Sequence, residues 1–312
     1  MVNRRHIRIK VMQSIYALFQ SKSDDLTKEE KFLNLSVQKT FDLYVLQLLL
    51  LVEVKKMENE HLEIKKKKYL ATSEDKKPSL KFVNNRVIHA IEQSTAMQKF
   101  LKDKKLDNWK NDREYVRVIL DKLKENKIFE DYLRSTKNSF EEDQEFILKA
   151  FKEVFAPNEK LFDYYESMNL SWVDDLPFVN TLIVKTIKSL KQNQFINLNN
   201  LVIKGDDHEY MLDLFRKSVL HNTDYDEEID SKTPNWDNER IAEIDMILIK
   251  MALTEFLYFP SIPTKVTINE YIEISKDYST QKSSFFINGV LDKLLKVYQQ
   301  DKRLNKIGRG LL

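Results

Sequence analysis

Apolar residues recur at every third or fourth position along most of the chain, which is the spacing of one face of an α-helix. In the opening stretch, Ile7, Val11, Ile15 and Leu18 form one such stripe. The same pattern continues toward the C-terminus and predicts a series of helices. The predicted helices cover residues 4–21, 27–64, 80–104, 112–134, 141–155, 175–192, 207–230, 238–258, 267–277 and 284–302.

Boundary signals are sharpest in the last third of the chain. Pro260 and Pro263 break the pattern after the helix predicted at 238–258. Polar side chains that accept hydrogen bonds from the first helical amides mark where helices start. The expected caps are Asn235, the capping-box pair Thr267 and Glu270, and Ser283 or Ser284. Three helices with short links predict a compact bundle.

Gly289 lies inside the predicted last helix, where a glycine costs about 1 kcal/mol relative to alanine. The chain has four glycines, and the other three fall in predicted loops or in the tail. Two explanations fit this pattern. The missing side chain lets a ligand approach the amides at the helix start, or it lets the last helix pack tightly on the first.

The composition favours an all-α fold. Glycine and proline are scarce, and 42% of the 312 residues are hydrophobic, which is enough for a sizeable core. This length allows two domains, or one domain with a large insertion. The absence of cysteine excludes disulfides, thiolate metal sites and a cysteine nucleophile. The apolar run at 43–54 is too short to span a bilayer and no cleavable leader is evident, so the sequence predicts a cytoplasmic protein.

The net charge of +2 is unevenly distributed. Residues 1–23 contain basic residues and no acidic one, whereas residues 224–230 are strongly acidic. Arg4 and Arg8 extend the apolar face of the first helix beyond the expected core, where an unpaired buried guanidinium would be costly. We therefore expect both side chains to protrude toward solvent or a ligand. A cationic end of this kind favours a polyanionic partner.

No catalytic or cofactor motif is present. The chain lacks a glycine-rich phosphate loop, a GxSxG elbow, an HExxH pair and an EF-hand loop, and its five histidines never fall at metal-ligand spacing. The sequence therefore predicts a protein that is not an enzyme and holds no cofactor or metal. A basic helix, nearby aromatic residues and a last helix that begins with Phe, Asn and Gly are instead groups that bind single-stranded RNA. Core packing explains Tyr16 and Phe286 equally well.

Short segments of the middle third echo segments of the last third. NDREYVRVIL at 111–120 is similar to DDHEYMLDLF at 206–215, and SFEEDQEFI at 139–147 is similar to NWDNERIAEI at 235–244. KFVNN at 81, PFVNT at 177 and FFING at 285 each contain Phe, a β-branched residue and Asn in sequence, and each leads an apolar helix. The middle third is therefore either a degraded copy of the last third or a chance likeness.

Several stretches resemble the NusB family of bacterial transcription antitermination factors. RRHIRIKVMQSIYALFQS at 4–21 is similar to its arginine-rich first helix, and EYMLDLFRKSV at 209–219 resembles its third helix. IPTKVTINEYIEISKDY and FINGVLDKL reproduce its proline, INE and NGVLDK signatures in order. The predicted divisions are 1–55 for the first helix and its neighbours, 56–204 for a central helical insertion, 205–302 for a C-terminal bundle and 303–312 for a tail.

The resemblance implies an all-helical fold of two perpendicular three-helix subdomains, with the central helical region added. It also implies a role, because NusB proteins pair with NusE, a small-subunit ribosomal protein. Together they bind the boxA RNA of ribosomal RNA leaders and modify RNA polymerase. The residues that the resemblance assigns to RNA are Arg4, Arg5, Arg8, Tyr16, Tyr278, Phe286 and Asn288. Asp245 matches an acidic position at the NusE interface.

Departures from the family pattern change the expected surface. His6 stands where another arginine is common, and a partly charged histidine weakens a phosphate contact near neutral pH. Lys282 stands where the family often has an acidic residue and would add about one phosphate contact. Phe285 replaces a position that is often basic or polar, and its side chain either stacks on a base or covers the inserted region. We add His6, Lys282 and Gly289 to the predicted RNA-binding residues.

Two other functions stay open at the level of the sequence. One is a helical protein-interaction scaffold whose RNA role has lapsed and whose enlarged central helices bind a partner. The other is the RNA-targeting domain of a ribosomal RNA methyltransferase. The missing methyl-donor-binding fold and the missing catalytic cysteine argue against the second.

Overall fold

The computed structural model describes residues 3–67, 77–198, 205–232 and 242–311, and in these ranges every regular element is helical. The all-α prediction is confirmed. The first ten helices are α1 (Arg4–Ser21), α2 (Leu26–Lys66), α3 (Arg86–Glu92), α4 (Thr95–Lys104), α5 (Asn108–Asn111), α6 (Arg113–Glu125), α7 (Lys127–Arg134), α8 (Phe140–Ala150), α9 (Glu159–Met168) and α10 (Ser171–Ser189). They are followed by α11 (Gly205–Leu220), α12 (Asn222–Lys232), α13 (Glu243–Tyr258), α14 (Thr264–Tyr278) and α15 (Ser283–Gln300). A π-helical turn covers Phe151–Phe155, and a 3₁₀ turn covers Gly308–Leu311.

Polar caps break two of the predicted helices. The Ser94 hydroxyl accepts a hydrogen bond from the Met97 amide and starts α4, so the helix predicted at 80–104 is divided. The Asn126 side chain likewise accepts from the Ile128 amide between α6 and α7. Short polar side chains compete with the helical backbone for its hydrogen bonds, which the apolar period does not reveal. Helix α9 was not predicted, and it begins after the cap Asn158.

Two of the expected caps in the last third are wrong. Helix α14 begins at Thr264 with Pro263 at its N-cap, so Thr267 lies in the helix interior, where its hydroxyl donates to a carboxylate of α13. Ser283 is the first residue of α15, and its hydroxyl accepts from the Thr280 amide in the preceding turn. The expected cap Asn235 lies outside the described residues.

The chain divides into two compact units. Unit 1 is residues Gln38–Val202, and unit 2 combines Val2–Val37 with Ile203–Leu312. Helix α2 begins in unit 2 and continues into unit 1. The domain boundaries at 55 and 204 stay a prediction about where family-like sequence ends, and the first of them falls inside α2.

Unit 1 is organised around the apolar run of α2. Residues 42–52 are all buried, which is the pattern of a helix packed on every side. The Trp109 indole donates to the Leu46 carbonyl at 2.8 Å and so fixes α5 against this helix. By length and composition α2 could also cross a membrane, but 67% of its most apolar window is buried inside the structure. The apolar segment of α2 is therefore buried as in the core helix of a globular unit.

Unit 2 is built around α13, which is buried from Ile247 to Phe256. Helices α1, α11, α14 and α15 pack on it, and α1 also packs on α11 and α14. This arrangement places the N-terminal turn of α1 beside the middle of α14. The basic start of the chain is therefore held on a rigid helical frame.

The three Phe–Asn echoes do not occupy equivalent places. Asn85 caps α3 and accepts from the Val87 and Ile88 amides, as expected for a helix start. The segments at 177–181 and 285–289 lie inside α10 and α15. Both segments fall within the helices predicted at 175–192 and 284–302. The segment at 285–289 lies in the first two turns of α15, whereas α10 begins earlier than predicted, at Ser171. Internal duplication stays a prediction.

Candidate nucleic-acid interface

The arginine-rich segment forms the first two turns of α1. Asn3 caps the helix, and its side chain accepts a hydrogen bond from the His6 amide at 2.8 Å. Arg4 and Arg8 are one helical turn apart on a face that meets α11, α13 and α14, whereas Arg5 points along the edge of α14. Neighbouring arginines thus enter different surroundings.

Arg8 is buried, with 2% of its surface exposed, and the expectation that it protrudes is wrong. Its guanidinium forms a bidentate pair with Glu255, with Nε 2.7 Å from Oε1 and Nη2 3.0 Å from Oε2. Its Nη1 also lies 3.6 Å from a carboxylate oxygen of Glu270. We expected Arg8 to protrude because burying an unpaired guanidinium is costly. In the structure Glu255 pairs with the guanidinium, so that cost does not arise. Arg8 therefore belongs to the core of unit 2.

Glu255 is fully buried and receives hydrogen bonds from several helices. The Tyr210 and Tyr271 hydroxyls donate to its Oε1 at 2.5 and 3.0 Å, and the Thr267 hydroxyl donates to its Oε2 at 2.9 Å. Burial alone would raise the pKa of Glu255, but the Arg8 charge and these donors outweigh burial and lower its pKa below the ordinary value. The carboxylate is therefore ionised at neutral pH and ties α1, α11, α13 and α14 together.

Arg4 and Arg5 are exposed, as predicted for Arg4. Arg5 forms a bidentate pair with Glu270, with both N–O distances at 2.9 Å, and this hydrogen bonding raises its pKa. Arg4 is 3.1 Å from Asp207 and lies over the Tyr210 ring at 4.8 Å. Exposed ion pairs contribute only about 0–1 kcal/mol, so a phosphate can replace these carboxylates at small cost.

His6 is buried, and its charge differs from the sequence-based expectation. Burial, followed by the nearby Lys10 charge, lowers the pKa of His6 to about 3. The side chain is therefore neutral near pH 7 and faces the core. We predicted a partly charged histidine that makes a weak phosphate contact. That prediction is wrong, because His6 is buried and because it is uncharged near pH 7.

A cavity of about 540 Å³ opens beside the first turn of α1. Arg4, Arg5 and Arg8 line one side, and Pro263 and Val266 at the start of α14 line another. Arg309, from the 3₁₀ turn near the C-terminus, also lines it. Sequence reasoning missed Arg309 because 303–312 carries no helical pattern of apolar residues, and because Arg309 lies 301 residues from Arg8 along the chain.

The predicted residues of α15 share one solvent face. Lys282, Asn288 and Gly289 are exposed, and Phe285 is 82% exposed. These positions recur at the three- and four-residue spacing of a helix face. Phe286 is half-buried beside that face, and Tyr278 is half-buried at the end of α14. Of the two adjacent phenylalanines, Phe285 is therefore the more exposed to solvent.

The structure rules out one of the two explanations for Gly289 drawn from the sequence, and the approach of a ligand stays a prediction. A Cβ at this position would meet nothing within 4 Å, so the glycine does not serve tight helix packing. It is the seventh residue of α15, beyond the first turn whose amides are free for a ligand. Side chains in helices lean toward the preceding turn, so a larger residue here would lie over Phe285. The glycine keeps that ring uncovered.

The remaining predicted residues lie apart from these two groups. Tyr16 is 39% exposed, two turns beyond Arg8 on α1. Asp245 is only 4% exposed in the first turn of α13, and its Oδ1 has no hydrogen-bond partner among the described residues. Residues 233–241, which precede it closely, lie outside the described ranges. Its burial argues against a direct partner contact, and that role stays a prediction.

Comparison with known proteins identifies the family of the chain. A family model described as the NusB family matches residues 178–296. Over 126 residues the chain is 32% identical to the transcription antitermination protein NusB of Methylacidiphilum infernorum, which is 38% of this chain and 88% of that protein. The chain belongs to the NusB family.

Other NusB relatives are more similar over shorter stretches. The transcription antitermination protein NusB of Salinibacter ruber is 46% identical over 99 residues, and that of Chloroherpeton thalassium is 46% identical over 96 residues. These alignments cover 32% and 30% of this chain, and 62% and 46% of the two relatives. No solved structure matches the chain. The NusB match begins at residue 178, inside α10, and so includes part of the predicted insertion.

Proposed function

We propose that the protein is a transcription antitermination factor that binds single-stranded RNA through unit 2. The observation that carries the proposal is the pair Arg4 and Arg5, which a NusB-family chain holds exposed at the mouth of a cavity on a rigid frame. Guanidinium groups bind phosphate oxygens through two parallel hydrogen bonds. Nothing in this proposal requires catalysis, and the protein acts as a binding factor.

The predicted residues divide into three groups. Arg4, Arg5 and Lys282 hold backbone phosphates, while Tyr16, Tyr278, Phe286 and Asn288 contact bases or sugars beside Gly289. Phe285, whose ring is exposed, joins the second group. His6 and Arg8 hold α1 in place and touch no RNA. Helix geometry places Tyr278 about 12 Å along α14 from Glu270, so one short RNA segment can reach from the arginines to the end of α14.

The finer version of the proposal follows the family resemblance. The RNA is a boxA-like segment of a ribosomal RNA leader, NusE binds with it, and the complex modifies RNA polymerase in the cytoplasm. An exposed amide such as Asn288 can read a base edge, whereas the arginines read only the backbone.

Binding of boxA-like RNA in the presence of NusE, compared with scrambled RNA of the same length, tests this version. We expect tighter binding to the boxA-like RNA, and we expect Asn288→Ala to reduce that preference more than it reduces binding to the scrambled RNA. Equal affinity for the two RNAs in the wild type would remove the sequence-specific version. Binding of RNA without sequence preference would then still be tested by substituting the arginines that line the cavity.

One observation favours the scaffold hypothesis as a second candidate. Phe162, Met168 and Leu170, around α9, are at least 42% exposed, and Phe162 also lines a cavity of about 230 Å³ in unit 1. Exposed apolar groups of this kind are typical of protein-binding surfaces. If the scaffold is the main function, RNA affinity should be weak and should change little with salt.

A further inference from the structure

The segment after α15 turns back and docks on unit 2. Lys302 adopts a left-handed conformation with φ 53°, and the Arg303 amide donates to the Tyr298 carbonyl at 2.9 Å. The Lys306 ammonium then donates to the Glu255 and Phe259 carbonyls, both at 3.0 Å. These carbonyls lie at the C-terminal end of α13, where the helix dipole favours a cation, and they also accept hydrogen bonds from the Phe259 and Ile262 amides. The tail is therefore fixed in place.

Two further contacts hold the tail next to the loop between α13 and α14. The Ile307 amide donates to the Pro260 carbonyl at 3.1 Å. Gly310 packs against the same carbonyl so closely that a Cβ would lie 1.8 Å from its oxygen. Only a glycine fits at this position. The sequence-based description of 303–312 as a plain tail missed this role.

Because the C-terminal segment packs on unit 2, Arg309 lies at the arginine-lined cavity. Its side chain is exposed and lines the cavity with Arg4 and Arg5. Arg4, Arg5 and Arg8 are each paired with a carboxylate, whereas Arg309 has no ion pair within the described part of the chain. Arg309 therefore supplies a positive charge that no carboxylate of the described residues offsets.

We propose that the docked C-terminal segment completes a phosphate site and that Arg309 contacts the RNA backbone beside Arg4 and Arg5. The proposal rests on the proposed function for its ligand. Because Arg309 has no carboxylate partner among the residues that the structure describes, its guanidinium can pair with a phosphate without displacing one of those carboxylates first. The tail thus extends the RNA surface beyond the first helix.

The test compares RNA affinity across a series of salt concentrations in the full-length protein. Arg309→Ala should weaken binding several-fold and reduce the slope of log affinity against log salt by about 0.7, the value for one phosphate contact to single-stranded nucleic acid. Lys31→Ala is the matched control, because Lys31 is an exposed cation of unit 2 on α2 that has no ion pair among the described residues and does not line the cavity. It should leave the slope unchanged.

Gly310→Ala is a second variant that keeps every charge. Its new methyl group would collide with the Pro260 carbonyl and displace the segment, so Arg309 would leave the cavity. We expect a loss of affinity similar to that of Arg309→Ala, and no further loss in the double variant. Thermal unfolding of each variant would show that the bundle remains folded.

The possible outcomes separate this inference from the proposed function. A wild-type protein that binds no RNA would overturn both. A wild-type protein that binds RNA, together with an Arg309→Ala variant of unchanged affinity and unchanged slope, would overturn only the role of the tail. If Gly310→Ala fails to fold, the comparison of Arg309→Ala with Lys31→Ala still decides the question.

Discussion

At the scale of single residues, the arginines of α1 differ in role because they differ in what faces them. Arg8 pairs with Glu255 and lies near two tyrosine rings in the buried core, while Arg5 pairs with Glu270 at the surface. A buried charge is tolerated only when it is paired and fully hydrogen-bonded, and Glu255 meets both conditions. Burial therefore converts an apparent RNA-binding residue into a structural one.

Replacing Arg8 should destabilise the fold much more than replacing Arg5. Arg8→Ala leaves the Glu255 carboxylate buried without its charge partner, and we expect a loss of about 3–5 kcal/mol in the free energy of unfolding. Arg5→Ala breaks an exposed pair and should cost less than about 1 kcal/mol. Urea unfolding followed by circular dichroism measures both values. Equal losses in the two variants would show that Arg8 is not the buried anchor.

The buried groups also predict how stability changes with pH. The pKa of His6 is about 3 in the folded protein and near 6.5 when unfolded, so as pH falls below 6.5 only the unfolded chain gains the proton and stability decreases. The pKa of Glu255 is lowered from 4.5, so its contribution is present above about pH 4.5 and is lost as pH falls further.

The two contributions can be separated by their pH ranges. Between pH 6.5 and 4.5, His6→Gln should flatten the decline in unfolding free energy relative to wild type, because glutamine does not titrate. Urea unfolding at closely spaced pH values provides the measurement. A His6→Gln profile parallel to wild type over this range would contradict the buried, neutral histidine.

At the scale of elements, the helical spacing of apolar residues predicted most of the helices but not where one helix ends and the next begins. Ser94 and Asn126 interrupt predicted helices through side-chain caps, and Thr267 proved to be a buried partner of Glu255 where the sequence favoured a cap. Glu255 itself carries no local signal, because its partners Arg8 and Tyr210 are 247 and 45 residues away along the chain. The family-like signatures of α14 and α15 predicted a shared surface, but not which of its side chains are exposed.

Substitutions of Gly289 should change both the stability of the protein and its affinity for RNA. Gly289→Ala should stabilise the protein by about 1 kcal/mol, because the site is an open helix interior with nothing near the added methyl group. Gly289→Met should stabilise it similarly, but its longer side chain would cover Phe285. If that ring stacks on a base, the methionine variant alone should lose about tenfold in RNA affinity.

Two measurements on the Gly289 variants decide between these expectations. Thermal unfolding reports the stability of each variant, and RNA titration reports its affinity. Equal RNA affinity for the alanine and methionine variants would show that the Phe285 ring is not part of the surface. A loss of stability in Gly289→Ala would contradict the open position of the glycine.

At the scale of the whole molecule, the family likeness and the candidate surface concentrate in unit 2. The NusB match ends at residue 296, and the arginine-lined cavity and the exposed face of α15 belong to the same unit. Unit 1 is built around a buried apolar helix and carries none of the predicted RNA residues. RNA binding should therefore depend on charges of unit 2 that face the cavity, and not on the total charge of the protein.

The salt dependence of RNA binding in Arg5→Ala and Arg216→Ala tests this account most directly. Both are exposed arginines of unit 2 in bidentate pairs with a glutamate, Arg5 with Glu270 and Arg216 with Glu30, but only Arg5 lines the cavity. We predict that Arg5→Ala lowers RNA affinity and reduces the salt slope by about 0.7, while Arg216→Ala leaves both unchanged. Equal effects of the two substitutions, or no effect of Arg5→Ala, would contradict the assignment of the RNA surface to the first turns of α1.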